Sequence, residues 1–206
     1  MQLSQQTNEY LRSLLPPRSR TAVLDFAEEN SVPIIYPEAE QFLRVLLQIQ
    51  KPKTILEIGT AIGYSAIFMS EITKAEITTI EISDEMVDLA KNFIGDNSKI
   101  NILRGDAAEV LPTLMQKFDF VFLDSSKSHY LELLPELVRL LNEDGLLVCD
   151  NVLFKGLVIA PEYPEKKHRT TVRCLREFLK ELSNHPDLET TILPIGDGMS
   201  LSRRKS

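Results

Sequence analysis

Residues 54–65, Thr54-Ile55-Leu56-Glu57-Ile58-Gly59-Thr60-Ala61-Ile62-Gly63-Tyr64-Ser65, constrain this chain more than any other stretch. Ile55 to Ile58 has the near-continuous apolar character of a buried parallel strand, interrupted only by Glu57. Gly59 and Gly63 bracket a tight turn, and a helix with apolar Ala66, Ile67 and Met69 follows. A strand that runs through a glycine turn into a helix makes a ligand crevice at the carboxyl edge of an open α/β sheet. Glycine suits that turn because, without Cβ, it takes positive φ and lets backbone approach a ligand.

The spacing narrows the ligand. A dinucleotide fingerprint needs G-x-G-x-x-G, whereas this turn is Gly59-x-x-x-Gly63 with Glu57 two residues before it. A carboxylate there repels a pyrophosphate and attracts an ammonium group. Glu81 ends the next strand-like run, where an acid can accept both hydroxyls of a ribose. The bland alternative is a generic strand-to-helix turn whose acids are merely solvated. Glu57-Ile58-Gly59 with a later Glu81 resembles the class I S-adenosylmethionine-dependent methyltransferases. The resemblance implies that Glu57, Gly59, Gly63, Ser65 and Glu81 surround the methyl donor.

A length of 206 residues suits one domain with a single core. We expect one methyltransferase domain over 1–206, with a helical flank or lid over 1–50 and a Rossmann-like core over 51–206. The N-terminus lacks the basic start and apolar run of a secretory leader, and no apolar stretch reaches the ~20 residues a membrane helix needs. The expectation is a cytoplasmic chain with no membrane partner. Cys149 and Cys174 lack metal-ligand spacing and read as reduced thiols. The net charge of −7 argues against indiscriminate nucleic-acid binding. Lys166, Lys167, His168, Arg169, Arg173 and Arg176 still cluster, and Arg203-Arg204-Lys205 lies near the end. Such runs are either solvated faces or local polyanion contacts.

Periodicity predicts helices over 3–15, 18–30 and 38–49, with 32–37 extended because each proline pushes its predecessor out of the α region. Strands at 54–58, 76–81, 100–104, 119–124 and 145–150 then alternate with helices at 63–73, 84–94, 107–116 and 129–142. Ser83 is a candidate N-cap for the second of these helices, which Gly95 ends. A helix near 168–184 precedes two closing strands, 187–193 and 199–202. Alternation of this kind argues for a parallel sheet with right-handed crossovers. The expected fold is a three-layer α/β sandwich around a seven-stranded, mostly parallel sheet with an antiparallel last strand and extra N-terminal helices.

Five strand ends present acids: Glu57, Glu81, Asp106, Asp124 and the Asp150-Asn151 pair. One sheet edge so acidic is unfavourable unless cations neutralise it. A sulfonium cofactor and a metal ion would do so. Asp106 is placed to orient an adenine, or simply to cap a helix, and the Ala107 N–H to donate to a ring nitrogen. Asp124, Asp150 and Asn151 offer hard oxygens suited to Mg²⁺, with Mn²⁺ or Ca²⁺ as substitutes; ordinary helix capping is the competing role.

Phe122-Leu123-Asp124-Ser125-Ser126-Lys127-Ser128-His129-Tyr130 and Cys149-Asp150-Asn151-Val152-Leu153 resemble the metal-dependent O-methyltransferases of the catechol and caffeoyl-CoA type. The resemblance implies Asp124, Asp150 and Asn151 as metal ligands and Lys127 as base, although a surface lysine paired with Asp124 would look the same. Residues 54–67, 150–158, Asn184-His185-Pro186-Asp187 and Pro194-Ile195-Gly196-Asp197-Gly198 are also similar to bacterial tRNA 5-hydroxyuridine methyltransferases. That branch implies methylation of the wobble uridine in a tRNA anticodon stem-loop, with the end of Val32-Pro33-Ile34-Ile35 reaching the cofactor. It also implies a homodimer, and phosphate contacts from Lys155, Lys166, Lys167, Arg169 and Arg203-Arg204-Lys205. The basic run after Pro164 is thinner than in that branch. A small catechol-like acceptor is the alternative.

Overall fold

The strand-like runs from Thr54 onward enter one sheet. In the computed structural model, which describes residues 5–18, 21–160 and 165–206, the strands are β1 Thr54–Ile58, β2 Glu76–Glu81, β3 Ile100–Arg104, β4 Phe118–Leu123, β5 Leu141–Cys149, β6 Leu188–Leu193 and β7 Met199–Arg204. Their order is β3-β2-β1-β4-β5-β7-β6. The first five pair in parallel, and β7 runs antiparallel to both its neighbours. This is the seven-stranded, mostly parallel α/β sheet with an antiparallel last strand expected from the sequence.

Helices α1 Gln5–Ser13, α2 Ala22–Asn30 and α3 Pro37–Gln50 precede the sheet, and α4 Tyr64–Ile72, α5 Asp84–Ile94, α6 Ala107–Val110, α7 Tyr130–Leu140 and α8 Arg169–Asn184 follow. Strand alternation splits the core between the two faces. Leu56, Ile58, Val121 and Leu123 meet Leu133 and Leu137 of α7 and Leu175 and Phe178 of α8. Ile55, Ile77, Phe120 and Phe122 meet Val23 and Leu24 of α2, Leu43 and Leu47 of α3, and Met69 of α4. The N-terminal flank is therefore part of a layer that covers the sheet. Among the described residues, no helix is long and apolar enough to cross a membrane.

Two predicted helices change shape. The one expected over 107–116 stops at Val110 and gives way to a single 3-10 turn, Leu111–Thr113. Pro112 has no N–H with which to continue the ladder. The helix expected over 129–142 ends at Leu140, and β5 begins at Leu141 rather than 145. Leu141 pairs with Phe118, and Asn142 Nδ2 donates to Asp119 Oδ1 at 2.7 Å. Asp144, at φ 62, lies within the stretch where the register then shifts.

The sheet's register levels the site. Gly59 N donates to Ile80 O, Asp124 N to Ile58 O, Asp150 N to Leu123 O and Gly105 N to Glu81 O, all at 2.9–3.0 Å. The first residue beyond each of these four parallel strands is thus tied to its neighbour's end, which sets the four strand ends along one line.

Candidate active site

Asp124 and Asp150 leave adjacent strands, β4 and β5, at that line. Lys127 Nζ lies 2.8 Å from Asp124 Oδ1 and 5.8 Å from the centre of the Tyr130 ring. Asp150 is buried; its Oδ1 accepts the Asn151 N–H at 2.7 Å while its Oδ2 has no partner. Burial, reinforced by the charge of Asp124, pushes the Asp150 carboxyl up to about 7. Asn151 takes a left-handed conformation at φ 56, which asparagine tolerates better than most residues. Asp197 reaches the same place from the β6–β7 turn, and its carboxylate accepts the Lys155 N–H.

Two cavities open along the sheet edge. The larger, about 620 Å³, is lined by residues 32–36, Thr60, Ser65, Lys127, Asp150, Asn151 and Asp197, among others. The smaller, about 230 Å³, is lined by Glu81, Ile82, Asp106, Ala107, Ser125 and His129, among others. Gly59, Ala61 and Asp124 line both. One elongated ligand can therefore lie across the glycine turn, with one end in each cavity.

Glu81 lines the small cavity with both carboxylate oxygens anchored to backbone. Its Oε2 accepts the Ala61 N–H at 2.9 Å and its Oε1 the Ser83 N–H at 2.8 Å, leaving each oxygen a further lone pair on the cavity side. Asp106 caps α6 through Ala108 N at 2.9 Å, and it lines the small cavity as well, so both roles proposed for it are compatible with one position.

Glu57 departs from expectation. It is fully buried beneath the turn and lines neither cavity. Thr79 donates to its Oε2 at 2.5 Å, Thr79 and Thr60 share a 2.6 Å hydrogen bond, and Ser65 bonds to it as well. Its Oε1 is left without a partner. Burial raises this carboxyl to about 7.

The glycines are also needed for a different reason than ligand approach. A Cβ on Gly59 (φ 103) would stand 2.0 Å from the carbonyl oxygen of Asp124, so the space is taken by neighbouring backbone. A Cβ on Gly63 (φ 85) would press on Ile94 and Ala90 of α5, and Gly63 lines neither cavity.

A profile of the O-methyltransferase family matches residues 2–205. This chain belongs to that family. It is 35% identical over 180 residues to caffeoyl-CoA O-methyltransferase 1 of Eucalyptus globulus, covering 81% of this chain and 72% of the relative. The SAH-bound Podospora anserina methyltransferase PaMTH1 superposes with a TM-score of 0.86 at 26% identity, over 98% of this chain and 94% of that one. A Bacillus cereus O-methyltransferase in complex with SAH gives 0.82 at 25% identity, over 97% of each chain.

The basic segments of this O-methyltransferase are largely engaged within the fold. Arg176 donates from Nε to Val158 O at 2.9 Å and from Nη2 to Ala160 O at 2.6 Å. Arg203 pairs with Asp144, Arg204 Nη1 donates to Val138 O at 2.9 Å and to Leu141 O, and Lys205 Nζ donates to Pro186 O at 2.8 Å. Because β7 is antiparallel, Ser200 faces Cys149 near the site while Arg203 faces Leu146 further back. The tail thus leads away from Asp150. Lys155 does line the large cavity, and a ring contact of 5.5 Å between Phe154 and His168 sets the Lys166–His168 turn beside it.

Asp197, Tyr36, Thr79 and Tyr130 were not among the site residues expected from sequence. Asp197 had a legible signal, a carboxylate flanked by two glycines in a turn that returns to the sheet edge. Tyr130 had none, because its role depends on two carbonyls far apart in the chain.

Proposed function

We propose that this enzyme transfers the methyl group of S-adenosylmethionine to one oxygen of a small acceptor bearing two vicinal oxygens, as a catechol does. The observation that carries this is the meeting of the two cavities at Gly59, Ala61 and Asp124, next to Lys127, Asp150 and Asn151. The adenosine half suits the small cavity, with Glu81 on the ribose hydroxyls and Asp106 and Ala107 at the base. The sulfonium and amino-acid half then suits the large one, between residues 32–36 and Ser65. The caffeoyl-CoA relative supports the acceptor class, and the SAH-bound neighbours support the donor.

Among the described residues no three His, Cys, Asp or Glu side chains gather around an ion position. Asp124, Asp150 with its unpartnered buried Oδ2, and Asn151 all line the large cavity, and their hard oxygens suit a divalent cation such as Mg²⁺. Such an ion, when bound, supplies a Lewis acid that makes an acceptor hydroxyl more acidic. The chain's own residues position the partners. Asp124 holds Lys127 beside the acceptor position. Lys127 is released from that ion pair when Asp124 is taken up by a cation. Its Nζ, once it has given up its own proton to water, then accepts the hydroxyl proton as the oxygen–methyl bond forms and the sulfur–methyl bond breaks.

The test is transfer to catechol and to a caffeoyl thioester, with and without EDTA, alongside Asp150→Ala. Loss of a Lewis acid removes several kcal/mol of stabilisation, so transfer should fall on the order of 100-fold or more under either treatment. Undiminished transfer in EDTA would remove the metal from the scheme.

A second acceptor, 5-hydroxyuridine of tRNA, carries the same pair of adjacent oxygens. Lys155 at the cavity, with Lys166 and Lys167 beside it, favours an acceptor with phosphates attached. Mass spectrometry of tRNA nucleosides from cells with and without the gene decides this; unchanged 5-methoxyuridine excludes the tRNA acceptor.

A further inference from the structure

Arg18 lies outside the large cavity, yet it touches two pieces of that cavity's wall, Ile35 and Tyr64, and the buried Glu40 behind them. Its Nη2 donates to the carbonyl oxygen of Ile35, in the extended segment 32–36. Its Nε stands 2.7 Å from Glu40 Oε2, an ion-pair distance without a linear hydrogen bond. Its guanidinium also lies 5.5 Å from the centre of the Tyr64 ring. Tyr64 directly follows Gly63 of the glycine turn, and its hydroxyl donates to the same Glu40 Oε2 at 2.8 Å. Burial and the neighbouring Glu40 push the Tyr64 phenol up, so it remains a donor at any ordinary pH. Arg44 completes the group, 3.7 Å from Glu40 Oε1 and 4.9 Å from the centre of the Phe68 ring.

We infer that Arg18 is a positioning residue for the amino-acid half of the methyl donor, acting through Ile35, Glu40 and Tyr64. Residues 32–36 line the large cavity and not the small one, so the segment Arg18 holds faces only one half of the ligand. Glu40 is 6% exposed and the Arg18 side chain 18%, so the ion pair is shielded from water and from salt. A buried ion pair adds little net stability over apolar packing of the same volume. What it supplies here is direction: a planar guanidinium with its donors in a fixed fork sets the Ile35 carbonyl and the Tyr64 ring at one mutual orientation. Tyr36, next to Ile35, carries the constraint onward, because its ring packs on Gly196 in the turn that presents Asp197.

This inference rests on the proposed donor, and the experiment separates the two. Calorimetric titration of the full chain with S-adenosylhomocysteine and with 5′-methylthioadenosine, which lacks the amino-acid half, is compared for wild type, Arg18→Met and Glu40→Gln. Loss of a charge-assisted tie should weaken S-adenosylhomocysteine by about tenfold in both variants while leaving 5′-methylthioadenosine within about twofold. Arg18→Lys should recover part of the loss. Equal weakening of both ligands would mean general loosening of the fold and overturn the inference, as would unchanged binding of both. Failure of the wild-type chain to bind S-adenosylhomocysteine would instead overturn the donor assignment itself.

Discussion

Tyr130 spans the gap between two strand ends: its hydroxyl lies 3.0 Å from the carbonyl oxygen of Asp150 and 3.1 Å from that of Leu123. A single proton serves both, and burial raises the phenol well above its ordinary value, so that proton stays in place. The ring is sealed edge-on against Phe178. Tyr130→Phe keeps the packing and leaves both carbonyls without this donor. It should lower unfolding free energy by about 1–3 kcal/mol in urea titrations. It should also reduce kcat more than it raises the KM for the donor, because the backbone that carries Asp124 and Asp150 is loosened.

The carboxyl of Glu57 titrates at about 7, above its ordinary 4.5, because burial outweighs the hydrogen bonds from Ser65 and Thr79. A raised carboxyl favours the folded state when protonated. Its contribution is whole below pH 4.5 and is lost as pH rises through about 7, amounting to about 3 kcal/mol at about 1.4 kcal/mol per unit. The urea midpoint of the ligand-free protein should therefore fall between about pH 5 and about pH 7, and Glu57→Gln should make that slope shallower, the rest coming from the Asp150 carboxyl.

Gly59→Ala and Gly63→Ala should differ sharply. At Gly59 the new methyl would overlap the Asp124 carbonyl, and backbone there cannot yield without moving β4. We expect a loss above about 4 kcal/mol, seen as insoluble or unfolded protein. At Gly63 the methyl would meet side-chain ends at 3.2–3.4 Å, and the left-handed φ adds strain of about 1–2 kcal/mol. A lowered melting temperature with donor binding retained is the expected outcome.

Arg204 closes the last turn of α7 by donating to Val138 O and Leu141 O. Val138 O already accepts the Leu141 N–H that ends the helix, and Arg204 adds a second donor there. Arg204→Ala should reduce stability by about 1–3 kcal/mol without altering the KM or the salt dependence of acceptor methylation. A changed salt dependence would return the tail to the acceptor surface.

The sheet was legible because its strands are apolar runs bounded by turns, and the acids were legible because each follows such a run. Helix ends were less so. Leu111 and Leu141 satisfy a helical period, but Pro112 in one case and the pairing of Leu141 with Phe118 in the other decide differently. Sequence placed Glu57 on the edge without revealing its depth, which depends on Thr79 and Thr60 from other elements folding over it. The basic tail read as free charge because its partners, Asp144 and the end of α7, are distant in the chain. Arg18 gave no signal at all, since an arginine after two prolines is ordinary until Glu40 and Tyr64 surround it.

The ladder of main-chain hydrogen bonds that levels the strand ends divides labour within the molecule. Reactive groups hang from peptide bonds between strands, whereas Phe154 and Lys155 in the connection after β5 and Asp197 in the β6–β7 turn supply the cavity wall beyond them. Loops of that kind can be rewritten without shifting the chemistry by an ångström. New acceptors are therefore within reach of substitution in the connections alone, and a change of specificity need not be bought with a change of mechanism.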